Sequence, residues 1–260
     1  MDVRWITAFL DLPSPAFDRG VAFWEAVTGS KLSPLRGTHD EFATLVPPDG
    51  DAYLRVQRIG EGAAGIHLDL HAPNVPAAAA QAVALGARVL GDHGYVTLAS
   101  PGGFRFCIVP HHGEATRPIP VVRTDSGSVP PTVSLLDQVC LDVAPDMVDS
   151  EAQFWAALTG WEHRGGSRPE LSYLVRPVGM PVRIIVQTLE AATPVVRAHL
   201  DLACGSDVEQ VAATHERLGA RPHHDGPAWR TMIDPAGLHY CLTRRDPTTG
   251  TLAASQPAHR

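Results

Sequence analysis

The chain has a single lysine, Lys31, and its arginines form no cluster, so the basic patch that nucleic-acid binders use is missing. Acidic residues outnumber basic ones 28 to 21, for a formal charge of -7. No run approaches the roughly 18 apolar residues a membrane helix needs. The opening MDVRWITAFLDLPSP has no basic stretch followed by a long apolar core, which predicts no secretory signal. None of the four cysteines (Cys107, Cys140, Cys204, Cys241) is spaced as CxxC, so they read as reduced thiols of a cytoplasmic protein. No GxxxxGK[ST] or GxSxG occurs. Walker-type phosphate loops and the serine-hydrolase elbow are therefore not indicated.

What the chain does contain is itself, twice. AFWEAVTG (22 to 29) matches QFWAALTG (153 to 160), and GIHLDL matches AHLDL. ALGARVL matches RLGARPH, and SPGGFRFCIVP matches DPAGLHYCLTR. Phe23 and Phe154 are 131 residues apart, His67 and His199 are 132, and Cys107 and Cys241 are 134. The slow drift means a few loop insertions in a tandem duplication. At 44% apolar, 260 residues suffice for two packed domains. We read residues 1–112 as the first and 134–245 as the second, with a Pro/Gly/Ser-rich linker at 113–133 and a tail at 246–260.

Each copy reads as strand, helix, then strands, and repeats that order once inside itself. Ser14 and Pro15 look like an N-cap followed by proline at the first helical position, and Gly29 ends the helix. Gly86 closes a second helix begun near residue 76. In the second copy Ser206 and Glu209 have capping-box spacing.

Order, spacing and repetition together resemble the vicinal oxygen chelate superfamily, which includes glyoxalases, bleomycin-resistance proteins and extradiol dioxygenases. The resemblance covers about residues 3 to 112 and 134 to 245. It implies an α+β fold: two tandem domains, each of two βαβββ modules forming a curved, mostly antiparallel sheet around a cleft. It also implies four metal-facing positions per cleft. These fall on Thr7, Gln57, His67 and Cys107 in the first copy, and on Gln138, Gln187, His199 and Cys241 in the second. Each cleft thus keeps one histidine, and both acidic ligand positions are lost.

Strand alternation adds further cleft-facing candidates. His67 and Asp69 share one face, as do His199 and Asp201, at about 7 Å along the strand, too far for a direct hydrogen bond at about 3 Å. Tyr53, Arg55, Arg105, Arg183 and His239 complete the expected lining. Trp24 and Trp155 read as core, and the adjacent His111 and His112 as solvated.

The expected function is metal-independent binding of a small molecule, such as a drug or secondary metabolite, with no cofactor. The alternative is an enzyme of this superfamily (lyase, isomerase or dioxygenase) that uses a cleft histidine as base or as anchor for a divalent metal. A regulatory module is a third possibility. Because the duplication mimics the dimer of single-domain relatives, a monomer or a homodimer is expected, with no nucleic-acid or membrane partner.

Overall fold

The structure, a computed structural model, describes residues 1–124 and 131–252. The first half runs β1 (Trp5–Pro13), α1 (Phe17–Thr28), β2 (Lys31–Leu32), β3 (Phe42–Val46) and β4 (Leu54–Ile59). It continues through β5 (Gly65–Ala72), α2 (Val75–Ala84), β6 (Arg88–Asp92), β7 (Val96–Ala99) and β8 (Arg105–Pro110). After β9 (Val121–Arg123) the order repeats: β10 (Thr132–Val143), α3 (Val148–Thr159), β11 (His163–Gly165), β12 (Leu171–Leu174) and β13 (Arg183–Thr188). It closes with β14 (Arg197–Ala203), α4 (Val208–Arg217), β15 (Arg221–Asp225), β16 (Trp229–Ile233) and β17 (His239–Thr243).

Each half is one mixed sheet, ordered β2-β3-β4-β1-β5-β8-β7-β6 and β11-β12-β13-β10-β14-β17-β16-β15. The two βαβββ modules of a half meet where their first strands pair antiparallel, β1 with β5 and β10 with β14. Within a module the first and last strands are parallel (β1 with β4, β5 with β8). This geometry requires the crossover that α1 and α2 supply. Along β1, Ile6, Ala8, Leu10 and Leu12 are fully buried in the core. The opposite face carries Thr7, Phe9 and Asp11 toward the concave side. Gly29 and Gly160 end α1 and α3 with φ of 65° and 72°, the left-handed conformation that glycine adopts without steric cost.

The halves share one continuous core because each lends its first helix to the other. From α1, Trp24 packs on Tyr240 of β17 (5.4 Å between rings), and its indole N–H donates to Asp234 in the β16–β17 turn (2.7 Å). From α3, Trp155 packs on Phe106 of β8 (5.2 Å). Fully buried Glu151 accepts from the Trp155 indole (2.9 Å) and from the Gly102 amide in the β7–β8 turn (2.8 Å). A side chain at Gly102 would run into Val196 and Glu151, so that close approach needs glycine. Trp24 and Trp155 are core, and all four cysteines are buried free thiols.

Some local expectations are corrected. Ser14 sits in a short 3₁₀ turn and donates to the Ile59 carbonyl (2.8 Å) instead of capping α1. The Ser206–Glu209 capping box does not form: α4 starts after Asp207, Ser206 donates to Asp207, and Glu209 pairs with Arg230. In both cases a nearer partner takes the side chain. Much of the linker is docked. Asp51 accepts from the amides of Ala115 and Thr116 (both 2.8 Å), and β9 pairs with the start of β10. Residues 246–252 form a turn built on Asp246, and Gly250, Thr251 and Leu252 reach the second cleft. Residues 125–130 of the linker and 253–260 of the tail lie outside the described residues. Among the described residues no helix is long and apolar enough to cross a membrane.

Two predictions follow from this packing. Glu151→Ala leaves the Trp155 indole and the Gly102 amide buried without an acceptor, so thermal or urea unfolding should show a loss of about 2–5 kcal/mol. Burial holds the fully enclosed His215, bonded to the Tyr240 hydroxyl at 3.0 Å, down at about 3. The unfolded ring takes a proton near pH 6.5 while the folded ring resists it, so stability falls as pH drops below 6.5. Urea titrations should show roughly 3 kcal/mol lost through this group between pH 7 and pH 4, a slope that His215→Leu flattens.

Candidate functional site

The central strands of each sheet line a cleft on the concave face. In the first half β1 supplies Phe9 and Asp11, β4 Arg55 and Gln57, β5 His67 and Asp69, and β8 Arg105 and Cys107, around a cavity of about 560 Å³. The register sets Phe9 opposite His67 and Asp69 beside Cys107. His67 Nδ1 lies 2.9 Å from both carboxylate oxygens of Asp11, and Phe9 stacks on its ring at 4.5 Å. The other nitrogen, Nε2, points to Asp69 at 3.9 Å. The Arg55 guanidinium stands 3.8 Å from the second oxygen of Asp69.

The second half repeats this plan with tighter geometry, around a cavity of about 540 Å³. His199 Nδ1 is 2.9 Å from Asp142, and Nε2 is 3.3 Å from Asp201 Oδ1. That buried oxygen has no hydrogen-bond partner. The Gln138 amide, oriented by its neighbours, donates to Asp201 Oδ2 (3.2 Å) and accepts from Arg183 Nε (2.8 Å). Cys241 Sγ lies beside Asp201 and meets the Thr231 hydroxyl at 3.4 Å. Tyr173 and Trp229 form aromatic walls, crossed by Arg183 (4.4 Å) and Arg168 (5.6 Å) respectively.

The structure gathers most of the candidate side chains around the two cavities: Arg55, Gln57, His67, Asp69, Arg105 and Cys107, then Gln138, Arg183, Gln187, His199, Asp201 and Cys241. Three lie elsewhere. Thr7 is fully buried past the end of the cavity and bonds His71 Nε2 (2.9 Å). Tyr53 is buried between the halves and donates to the Leu136 carbonyl (3.0 Å). His239 begins β17 and is exposed, against His223 (4.6 Å). The gap along the His-x-Asp strand is also closed, because the imidazole leans along the strand toward the aspartate.

Asp11 and Asp142 were missed by sequence reasoning. Both were findable, since they stand 131 residues apart, the same offset as Phe23 and Phe154, in the matching runs LDLP and LDVAP.

Burial works against a charged His67, but its hydrogen bond to Asp11 and the charges of Asp11 and Asp69 outweigh it and raise its pKa. His199 is raised well above the ordinary value: burial opposes the charge, while the Cys140 sulfur and the Asp142 carboxylate favour it. Burial pushes the Cys140 thiol itself up to about 12, so at neutral pH it is Asp142 that charges the ring. Burial likewise raises Asp69, against the pull of His67 and Arg55, and raises Cys107 to about 12. Each cleft is a nest of acidic groups that holds a positive charge on its histidine.

A metal ion would suit the same nest. His67, Asp69 and Cys107, and likewise His199, Asp201 and Cys241, offer N, O and S atoms within 4.8 Å of one another. Tetrahedral Zn²⁺ with bonds of about 2.0–2.3 Å spaces its ligand atoms roughly 3.3–3.7 Å apart. The His199–Asp201 separation of 3.3 Å fits that edge. A carboxylate on the far nitrogen of a ligating histidine is the usual supporting arrangement, and Asp11 and Asp142 provide it. The unpartnered Asp201 oxygen is the atom a cation would satisfy. The donor sets therefore fit a transition metal, and the expectation of no cofactor is not supported.

The tandem arrangement of mixed, curved sheets is the architecture of two-domain vicinal oxygen chelate proteins. A model of the glyoxalase-like domain matches residues 7–109 and again 138–243, and the chain belongs to that family. A search of curated proteins finds no match. Solved structures share the fold at low identity. The 2,3-dioxygenase LapB from Pseudomonas sp. KL28 aligns with TM-score 0.64 and 12% identity over 100% of this chain and 96% of its own. The 2,2',3-trihydroxybiphenyl 1,2-dioxygenase from Sphingomonas wittichii gives 0.60 and 17%, over 93% and 90%. The Mn(II)-bound glyoxalase from Novosphingobium aromaticivorans gives 0.57 and 16%, over 99% and 87%.

The geometry makes one prediction on metal-free protein. Asp142→Asn removes the charge that holds a proton on His199. Its imidazole should then titrate at lower pH by ¹H–¹⁵N NMR, while His67, with Asp11 intact, does not move.

Proposed function

We propose that the chain is a metal-dependent enzyme of the vicinal oxygen chelate type, with its reaction centre in the second cleft. The observation that carries this reading is the His199 ring, fixed at Nδ1 by Asp142, with Nε2 3.3 Å from the unpartnered Asp201 oxygen beside Cys241. His199 Nε2, Asp201 Oδ1 and Cys241 Sγ would hold the metal. When bound, the metal would supply Lewis-acid polarisation of a substrate oxygen. The metal-dependent character of relatives such as the Mn(II)-bound glyoxalase supports the choice over metal-free binding.

The chain's own groups fix the remaining chemistry. Tyr173 and Trp229 offer flat apolar walls for an aromatic or conjugated substrate. Arg183, half-buried and held by Gln138, keeps its charge even though burial lowers its pKa to about 10, and it offers a guanidinium to an anionic substrate group. Gln138 ties that guanidinium to Asp201, so the substrate-orienting and metal-holding groups move as one unit.

The first cleft favours a second role, metal-free ligand binding. Its Asp69 is already opposed by Arg55, and Phe9 covers one face of His67. Arg55, Arg105 and His67 together suit a small anionic aromatic.

Protein purified without chelator should contain Zn, Fe or Mn by elemental mass spectrometry. Reloaded with Fe²⁺ or Mn²⁺, it should turn over a panel of catechols, followed by oxygen uptake and product absorbance. His199→Ala should abolish turnover and remove the cleft metal, whereas His67→Ala should leave both. Metal-free protein that neither takes up metal nor turns over the panel, yet shows a thermal shift with aromatic acids, would replace the enzyme with a binding protein.

A further inference from the structure

A third group of ligand-type side chains lies outside both clefts, where the first sheet hands the chain to the linker. His71 ends β5, His111 follows β8, and Glu114 opens the linker. His71 Nδ1 faces Glu114 Oε1 at 3.4 Å, and His111 Nδ1 faces Glu114 Oε2 at 3.2 Å. The three offer ligand atoms within 4.8 Å of one another, and none of them lines the cleft cavity.

We propose that His71, His111 and Glu114 form a structural Zn²⁺-class site that clamps the linker to the first sheet. Both imidazole Nδ1 atoms are buried without a hydrogen-bond partner. His71 is only 1% exposed, so its unpartnered nitrogen aims at an interior point that lacks a counterpart. The Thr7 hydroxyl engages the opposite nitrogen, Nε2, at 2.9 Å and fixes the ring with Nδ1 turned inward. The spacings of 3.2 and 3.4 Å are long for charge-assisted hydrogen bonds at about 2.7–2.9 Å. They match the roughly 3.3 Å edge of a tetrahedron with bonds of about 2.0–2.1 Å to N and O. His111 and Glu114 keep partial exposure (side chains 21% and 16%), which gives a cation a way in.

The placement argues for a structural role. Glu114 also accepts from the His112 amide (3.0 Å), and the next residues are bound to Asp51 through the Ala115 and Thr116 amides. A cation on Glu114 would therefore fasten β5, β8 and the start of the linker at one point. Among the described residues the second half has no equivalent. Ala203 and Arg245 stand where the repeat offsets put His71 and His111, and Arg245 pairs with buried Asp137 at 3.0 Å. The same corner is thus closed by an ion pair in one half and, on this proposal, by a cation in the other.

Calorimetric titration of chelator-treated protein with Zn²⁺ tests this, using wild type, His111→Ala, Glu114→Gln and the cleft variant His67→Ala/His199→Ala. The two site variants change part-exposed side chains, and circular dichroism checks their fold. Each should lose one equivalent of bound zinc, or bind it at least tenfold more weakly, and the cleft variant should retain that equivalent. Should the cleft variant not fold, the wild-type comparison with the two site variants is sufficient. If both site variants match wild type in stoichiometry and affinity, or if wild type takes up no zinc, the proposal is wrong. Loss of the cleft metal alone would leave this site intact, so the two readings fail separately.

Discussion

The site depends on a charge that must be balanced. In each cleft two aspartates converge on one histidine from opposite ring nitrogens, and a third group, a buried cysteine, closes the cluster. Burying carboxylates without compensation is costly. In the absence of other cations the compensation is a proton on the imidazole, which explains the raised pKa of His67 and, more strongly, of His199. A proton and a metal ion compete for the same nest, since a ligating imidazole nitrogen must be bare. The first cleft offers a third compensation, the Arg55 guanidinium on Asp69. The second ties its arginine to the Gln138 amide and leaves one Asp201 oxygen unanswered. The two clusters thus differ in what balances their aspartates.

The fold holds these groups in place by joining the halves through exchanged helices. Trp24 is anchored to Asp234 and Trp155 to Glu151, each next to the turn that leads into a last strand. Those strands, β8 and β17, carry Cys107 and Cys241. The position of each cysteine in its cleft is therefore set partly by a helix from the other half. Drift in one copy is felt in the other's site, which gives a physical reason for the duplication to stay in one chain.

The duplication and the order of strands and helices were legible in the sequence, the sheet topology followed from the resemblance to the vicinal oxygen chelate superfamily, and strand alternation assigned His67, Asp69 and Cys107 to one face. What alternation could not show was how far a side chain reaches. His67 and Asp69 read as separate along the strand, yet the leaning ring brings them within 4 Å. Thr7 lies on β1 past the cavity and Tyr53 just before β4, so each has a neighbour other than the cleft. His71 and His111 lie 40 residues apart in sequence and became a pair only through the parallel β5–β8 register. Asp11 and Asp142 were visible in the repeat, but the runs that carry them were not set against each other.

The central claim is that His199 Nε2, Asp201 and Cys241 hold a metal in the second cleft. Anomalous diffraction from crystals of protein loaded with Zn²⁺ or Mn²⁺ tests it most directly. The account predicts a peak about 2.0–2.3 Å from His199 Nε2, in contact with Asp201 and Cys241, and the Nδ1 bond to Asp142 retained. A cleft without a peak, in crystals that carry the metal elsewhere, would contradict it and leave the cluster as a proton-balanced binding pocket.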